Sequence, residues 1–131
     1  ALAALEATLR LYADGRQAEV PVRAMLARSP NDLLLAARRI AAGVPGAQVR
    51  AGESVSGGGA LPGEGLQTTL VVLTVAQPNA LAAALRVGEV PVVARVANDA
   101  VVLDPRTLLP HQEAPLIAAL LAALAVVDVG R

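Results

Sequence analysis

Chemistry in this sequence is confined to a few residue types. All eleven basic residues are arginine and none is lysine, so no Schiff base to a carbonyl compound can form on this chain. There is no cysteine and one histidine, His111, which removes thiol catalysis, structural disulfides and zinc clusters of the usual type. No metal site is expected. What remains is arginine, carboxylate and glycine. The stretch Glu53 to Gly65, ESVSGGGALPGEG, gathers five glycines and one proline in an otherwise Ala/Leu/Val/Arg-rich chain. Gly57, Gly58 and Gly59 would each cost about 0.5–1 kcal/mol relative to alanine in a regular element, so they imply positive φ, close backbone approach or room for a ligand. Pro62 and Gly63 then force a turn.

Glycine clusters are commonly plain surface connections. Two nucleotide motifs can be set aside. A Walker-type loop needs a lysine after its last glycine, and a dinucleotide fingerprint needs a helix after it, whereas Leu66 onward is rich in Thr, Val and Leu and reads as strand. A tight inter-strand connection and a backbone surface for a substrate both stay open.

These residues need a scaffold, and the composition allows one. The 131 residues fit one domain able to bury about two thirds of the surface its unfolded form exposes. Aromatic content is 1 %, with Tyr12 alone, so the core must be aliphatic and no platform for stacking bases exists. Zero formal net charge gives no overall basic field for nucleic acid, leaving only a local arginine patch. The longest apolar run, Leu116 to Val127, is twelve residues, short for a membrane span, and reads as a buried helix. No membrane association is expected, and the absence of cysteine fits a cytoplasmic protein.

Leu2, Leu5, Leu9 and Tyr12 stand at helical spacing, and Glu6 and Arg10 form an i,i+4 pair. No capping residue precedes them, so the segment reads as the continuation of something upstream, and residues 1–28 as a helical connector. Ser29-Pro30-Asn31-Asp32 opens a second helix through Ile40, stopped by Gly43 and Pro45, with Arg38 and Arg39 as solvated charges near its end. Strands are predicted over 47–54 and 66–76, the second buried on both faces, then a helix from Pro78 to Gly88. Asn98-Asp99 links strands 90–97 and 100–104 as a tight hairpin, with Val92, Ala94 and Val96 on one face and Val93 and Arg95 on the other. Asp104-Pro105-Arg106-Thr107 turns the chain, with Arg106 placed to pair with Asp104, and a last helix runs from about Gln112 to Val126. The fold class is α/β (α+β): a small mixed sheet of about four strands with helices on one face.

Three strings then carry a likeness. LAALEATLRLY near the start, GESVSGGGALPGEGL in the middle and LRVGEVPVVARVANDAVVLDPRTLLP towards the end resemble, in order and spacing, the C-terminal part of bacterial selenocysteine synthase, L-seryl-tRNA(Sec) selenium transferase. Gln67 stands where that family commonly has proline, and Val87-Gly88-Glu89-Val90 replaces a more usual Ala-Gly-Asp-Pro; neither touches chemistry. The resemblance implies a fold-type I pyridoxal phosphate enzyme, whose large domain carries the cofactor lysine and whose small C-terminal domain closes over the active site. Residues 29–131 would be that small domain, inactive alone and binding no cofactor itself. Its implied partners are its own large domain, seryl-tRNA(Sec) and selenophosphate, in a homo-oligomer built from dimers. The candidate substrate-facing residues are Gly57, Gly58, Gly59, Leu61, Pro62, Gly63 and Arg95. Arg95 is included because small-domain strand arginines in such enzymes grip substrate carboxylates. Here the carboxyl is esterified to tRNA, so a phosphate or a neighbouring acid such as Asp104 is the alternative, beside the plain reading of an exposed strand arginine. His111 is read as a turn residue. Three alternatives remain beside the enzyme reading: the small domain of a related pyridoxal phosphate lyase acting on a sugar-acid phosphate, a freestanding ligand-binding module, or a purely structural subunit-contact domain.

Overall fold

Strand pairing here is set by two hairpins and one crossover. In the computed structural model, which describes residues 1–54 and 65–129, β1 (Ala47–Ser54) pairs antiparallel with β2 (Leu66–Thr74), and β3 (Arg95–Ala97) pairs antiparallel with β4 (Ala100–Leu103). The hairpins join through β2 and β4, giving the order β1-β2-β4-β3. Helix α4 (Pro78–Val87) connects β2 to β3, which run the same way with β4 inserted between them. This split β-α-β arrangement makes every pairing antiparallel, where a mixed sheet was expected. Four strands and an α/β class are as the sequence implied. Asn98 and Asp99 both take positive φ, 50° and 56°, which sets the tight turn between β3 and β4. Strand β3 is shorter than predicted, because Pro91 has no N–H to pair and 91–94 form no ladder.

One face of the sheet carries the main core. Val71 and Leu73 of β2 lie beside Leu103 and Val101 of β4, and all four are buried. Against them pack Ala37 and Ile40 of α3 (Pro30–Ala42), Leu81 and Leu85 of α4, and Leu116, Leu120 and Ala123 of α5 (Glu113–Val129). The opposite face holds a small second cluster, Val72, Ala100 and Val102, so β2 is buried on both sides over 71–73. Ser29 caps α3 by accepting the Asp32 N–H at 3.1 Å and donating to its carboxylate at 2.7 Å. The helical stretch Pro110–Val127, which includes most of α5, is long and apolar enough to cross a membrane by length and composition alone; its Leu116, Leu120 and Ala123 are nevertheless packed in the core.

The N-terminal helices are held differently. Helix α1 (Leu2–Ala13) has no buried residue, and Leu2 stays 82 % exposed. It ends in a Schellman motif, with the Arg16 N–H on the Leu11 carbonyl and the Gly15 N–H on that of Tyr12. Gly15 supplies the required left-handed turn at φ +70°. Helix α2 (Pro21–Leu26) likewise buries nothing.

Arg39 is paired rather than merely solvated. Its guanidinium binds the Glu113 carboxylate through two bonds of 2.8 and 2.7 Å, tying α3 to the start of α5. That hydrogen bonding holds the Glu113 carboxyl below the ordinary glutamate range, against an opposing contribution from burial. A depressed folded-state pKa stabilises the fold above the unfolded value, about 4.3, and the contribution disappears as pH falls through the folded value. Glu113→Gln is therefore expected to cost less than about 1 kcal/mol at pH 7 and less at pH 3. Urea unfolding of both proteins at the two pH values checks this; an equal difference at both would exclude the ion pair as its source.

Candidate functional site

Arg95 is the one predicted site residue that lies among the described residues. Gly57, Gly58, Gly59, Leu61, Pro62 and Gly63 lie outside them. Arg95 is exposed on β3 opposite Val102 of β4, and among the described residues its side chain makes no hydrogen bond or ion pair. It borders a cleft of ≈ 390 Å³ over the second face of the sheet. Val102 and Leu66 contribute apolar floor, Val22, Met25 and Leu26 of α2 form the facing wall, and Ser54, Asp104 and Thr107 add polar atoms. Ser54 ends β1 and Leu66 begins β2, so the cleft opens beside both ends of the glycine-rich segment.

The side chain that assembles this cleft is Arg106, 6 % exposed and placed by the single-turn 3-10 helix Pro105–Thr107. Its Nε donates to Ser54 Oγ at 3.0 Å and its Nη2 to the Gln67 carbonyl at 2.7 Å. Nη1 reaches the carbonyls of Met25, Leu26 and Arg28 at 3.2–3.4 Å, capping the C-terminal end of α2. A planar guanidinium spreads five N–H donors over three nitrogens, and Arg106 uses all three nitrogens here, whereas an ammonium offers three donors from a single atom.

Asp104 completes the group. Its carboxylate accepts the Thr68 hydroxyl at 2.8 Å, the Arg106 backbone N–H at 3.0 Å and the Ser54 hydroxyl. Asp104 and Arg106 do associate, but through Ser54 and a backbone N–H rather than a direct carboxylate–guanidinium contact. No buried side-chain N or O among the described residues lacks a partner. Sequence reasoning saw Arg106 as a local turn residue. Its local signal, an Asp-Pro-Arg turn, is real; its reach to Met25 and Gln67 has no sequence signature. His111 stands exposed in the single turn Pro110–Gln112, away from the cleft.

Comparison with known proteins bears on the family of the chain. The family model for L-seryl-tRNA selenium transferase matches residues 1–109. The chain belongs to that family. It is 43 % identical over 134 residues to the L-seryl-tRNA(Sec) selenium transferase of Solidesulfovibrio magneticus, covering 92 % of this chain and 28 % of the relative. The corresponding enzyme of Desulfomicrobium baculatum is 42 % identical, covering 95 % and 29 %. That of Geobacter sulfurreducens is 45 % identical over 91 % of this chain and 28 % of its own length. The chain thus spans little more than a quarter of the curated relatives it matches.

The network and the cation separate cleanly by substitution. Asp104→Ala strands the Thr68 and Ser54 hydroxyls and is expected to cost about 2–3 kcal/mol of folding stability, whereas Arg95→Ala should fall within about 0.5 kcal/mol of the parent. Urea titration of both variants measures this, and a large loss from Arg95→Ala would reveal a structural partner for it.

Proposed function

We propose that this chain is the C-terminal small domain of a pyridoxal phosphate-dependent selenium transferase that converts seryl-tRNA(Sec) to selenocysteinyl-tRNA(Sec) with selenophosphate. The family match over residues 1–109 carries this reading. Residues 1–28 are the connector to a large cofactor domain and residues 29–131 the small domain. The leucine stripe of α1, exposed here, suits a helix that packs on another part of the same protein. The enzyme works in the cytoplasm as a homo-oligomer built from dimers.

The cofactor does not fit this chain. Without a lysine there is no residue to bear it, and among the described residues Arg95 is the one cation bordering the cleft whose side chain is not already committed. Pyridoxal phosphate therefore belongs to the large domain, and this chain alone has no activity. Its contribution is to present substrate. Since the seryl carboxyl is esterified, Arg95 meets a phosphate group of the substrates through a charge-assisted bidentate pair. Gly57, Gly58, Gly59, Leu61, Pro62 and Gly63 also face the substrate in this reading, the glycines because their backbone can pass close to the aminoacyl end without side-chain bulk.

The gene decides the domain reading: a lysine-bearing cofactor domain encoded upstream of Ala1 is expected, and an initiator codon at or just before Ala1 would overturn it. In the full-length enzyme, Arg95→Ala should raise KM for the charged tRNA about tenfold with kcat within about twofold, the mark of lost ground-state binding. An unchanged KM would return Arg95 to a plain surface residue. Gly58→Val should damage turnover far more than it lowers the Tm of the 131-residue chain; equal damage to both would remove the glycines from the substrate path.

A further inference from the structure

Helix α2 forms one wall of the Arg95 cleft, yet none of its six residues is buried. Only Ala24 and Met25 of the six are even partly buried, so apolar burial alone holds this wall weakly. Two arginines hold it as well, and they act reciprocally. Arg106 donates from the 105–107 turn to the carbonyls of Met25, Leu26 and Arg28 at the end of α2. Arg28, just beyond that end, donates back to the carbonyls of Pro105 and Leu108 on either side of the turn. Neither guanidinium is engaged by a carboxylate within ion-pair distance among the described residues. Each instead holds the backbone of the segment that carries the other. Arg106 alone also reaches the sheet, through Ser54 and Gln67, so the clasp references the wall to the cleft floor.

We propose that Arg106 and Arg28 are positioning residues for the Arg95 cleft, setting the distance between the α2 wall and the sheet. The proposal rests on the reading of that cleft as substrate-facing, and it adds two residues that touch no substrate themselves. Lysine at 106 would keep the charge but replace the rigid fork of three donor nitrogens by a single one, too compact to span acceptors on all three segments. Alanine at 28, a half-buried position, removes one half of the clasp without opening the core.

The test uses the 131-residue chain with Arg106→Lys, Arg28→Ala and Arg28→Lys. Amide exchange is followed over residues 21–28 and over 70–74, and inorganic phosphate is titrated against the Arg95 Nε–H resonance. Exchange over 21–28 is expected to rise at least tenfold in Arg106→Lys and Arg28→Ala, while 70–74 stays within twofold. Phosphate affinity at Arg95 should fall at least threefold in both, and Arg28→Lys should recover part of each loss. Unchanged exchange over 21–28, or an equal rise over both segments, would overturn the clasp, the second because it reports general destabilisation. A loosened α2 with unaltered phosphate affinity would overturn its role in shaping the cleft. If the parent chain shows no Arg95 response to phosphate, the phosphate reading of the cleft fails with its positioning role, and the exchange data alone decide whether the arginines place α2.

Discussion

A buried guanidinium is expensive unless every N–H finds an acceptor, and in this domain Arg106 meets that requirement by drawing acceptors from three separate segments. The carbonyls of Met25, Leu26 and Arg28 come from one, that of Gln67 from another, and the Ser54 hydroxyl from a third. The desolvation of one cation thus becomes a constraint on how α2, the end of β1 and the start of β2 stand relative to one another. Asp104 supplies the compensating charge one hydroxyl away. The cleft beside Arg95 exists because these segments cannot close on each other without leaving that cation unsatisfied.

The hydrophobic core on the other face is a separate construction. It is built from Leu, Val, Ile and Ala alone, and fit replaces the contacts that rings would make. Gly43 shows how close that fit is: a Cβ there would lie 2.9 Å from Ile117 Cγ2, so the end of α3 and the flank of α5 approach to a distance that only glycine permits. This core fixes α3, α4 and α5 but has no part in α1 or α2. The chain therefore has an apolar body and a polar attachment, and the candidate site lies at the join.

This division also explains what was legible in the sequence. Periodicity and punctuation gave the helices, the strands and the Asn98-Asp99 hairpin, because Ser29, Pro78 and Asn98-Asp99 act on neighbours in the chain. The antiparallel order did not follow from pattern, since the insertion of β4 between β2 and β3 is a property of the crossover and not of any strand. Alternation with Val92, Ala94 and Val96 placed Arg95 on the opposite face of its strand, but it was the family resemblance that made it a candidate. The partners of Arg28 and Arg106 were not legible: their acceptors are backbone carbonyls, identical in every residue type, so no side-chain pattern announces them.

The split crossover has a consequence for how the chain reaches its fold. The β1–β2 and β3–β4 pairs each join consecutive strands, whereas the ladder between β2 and β4 is four residues long and unites segments on opposite sides of α4. Local closure favours the two hairpins first, and their union carries the larger loop entropy. The same four-residue ladder buries Val71, Leu73, Val101 and Leu103, so the slowest seam to form is also the one that completes the core. A nascent chain that has not yet made Leu103 has no means of sealing β2, and its long apolar edge must stay unsatisfied until nearly the whole domain has been synthesised.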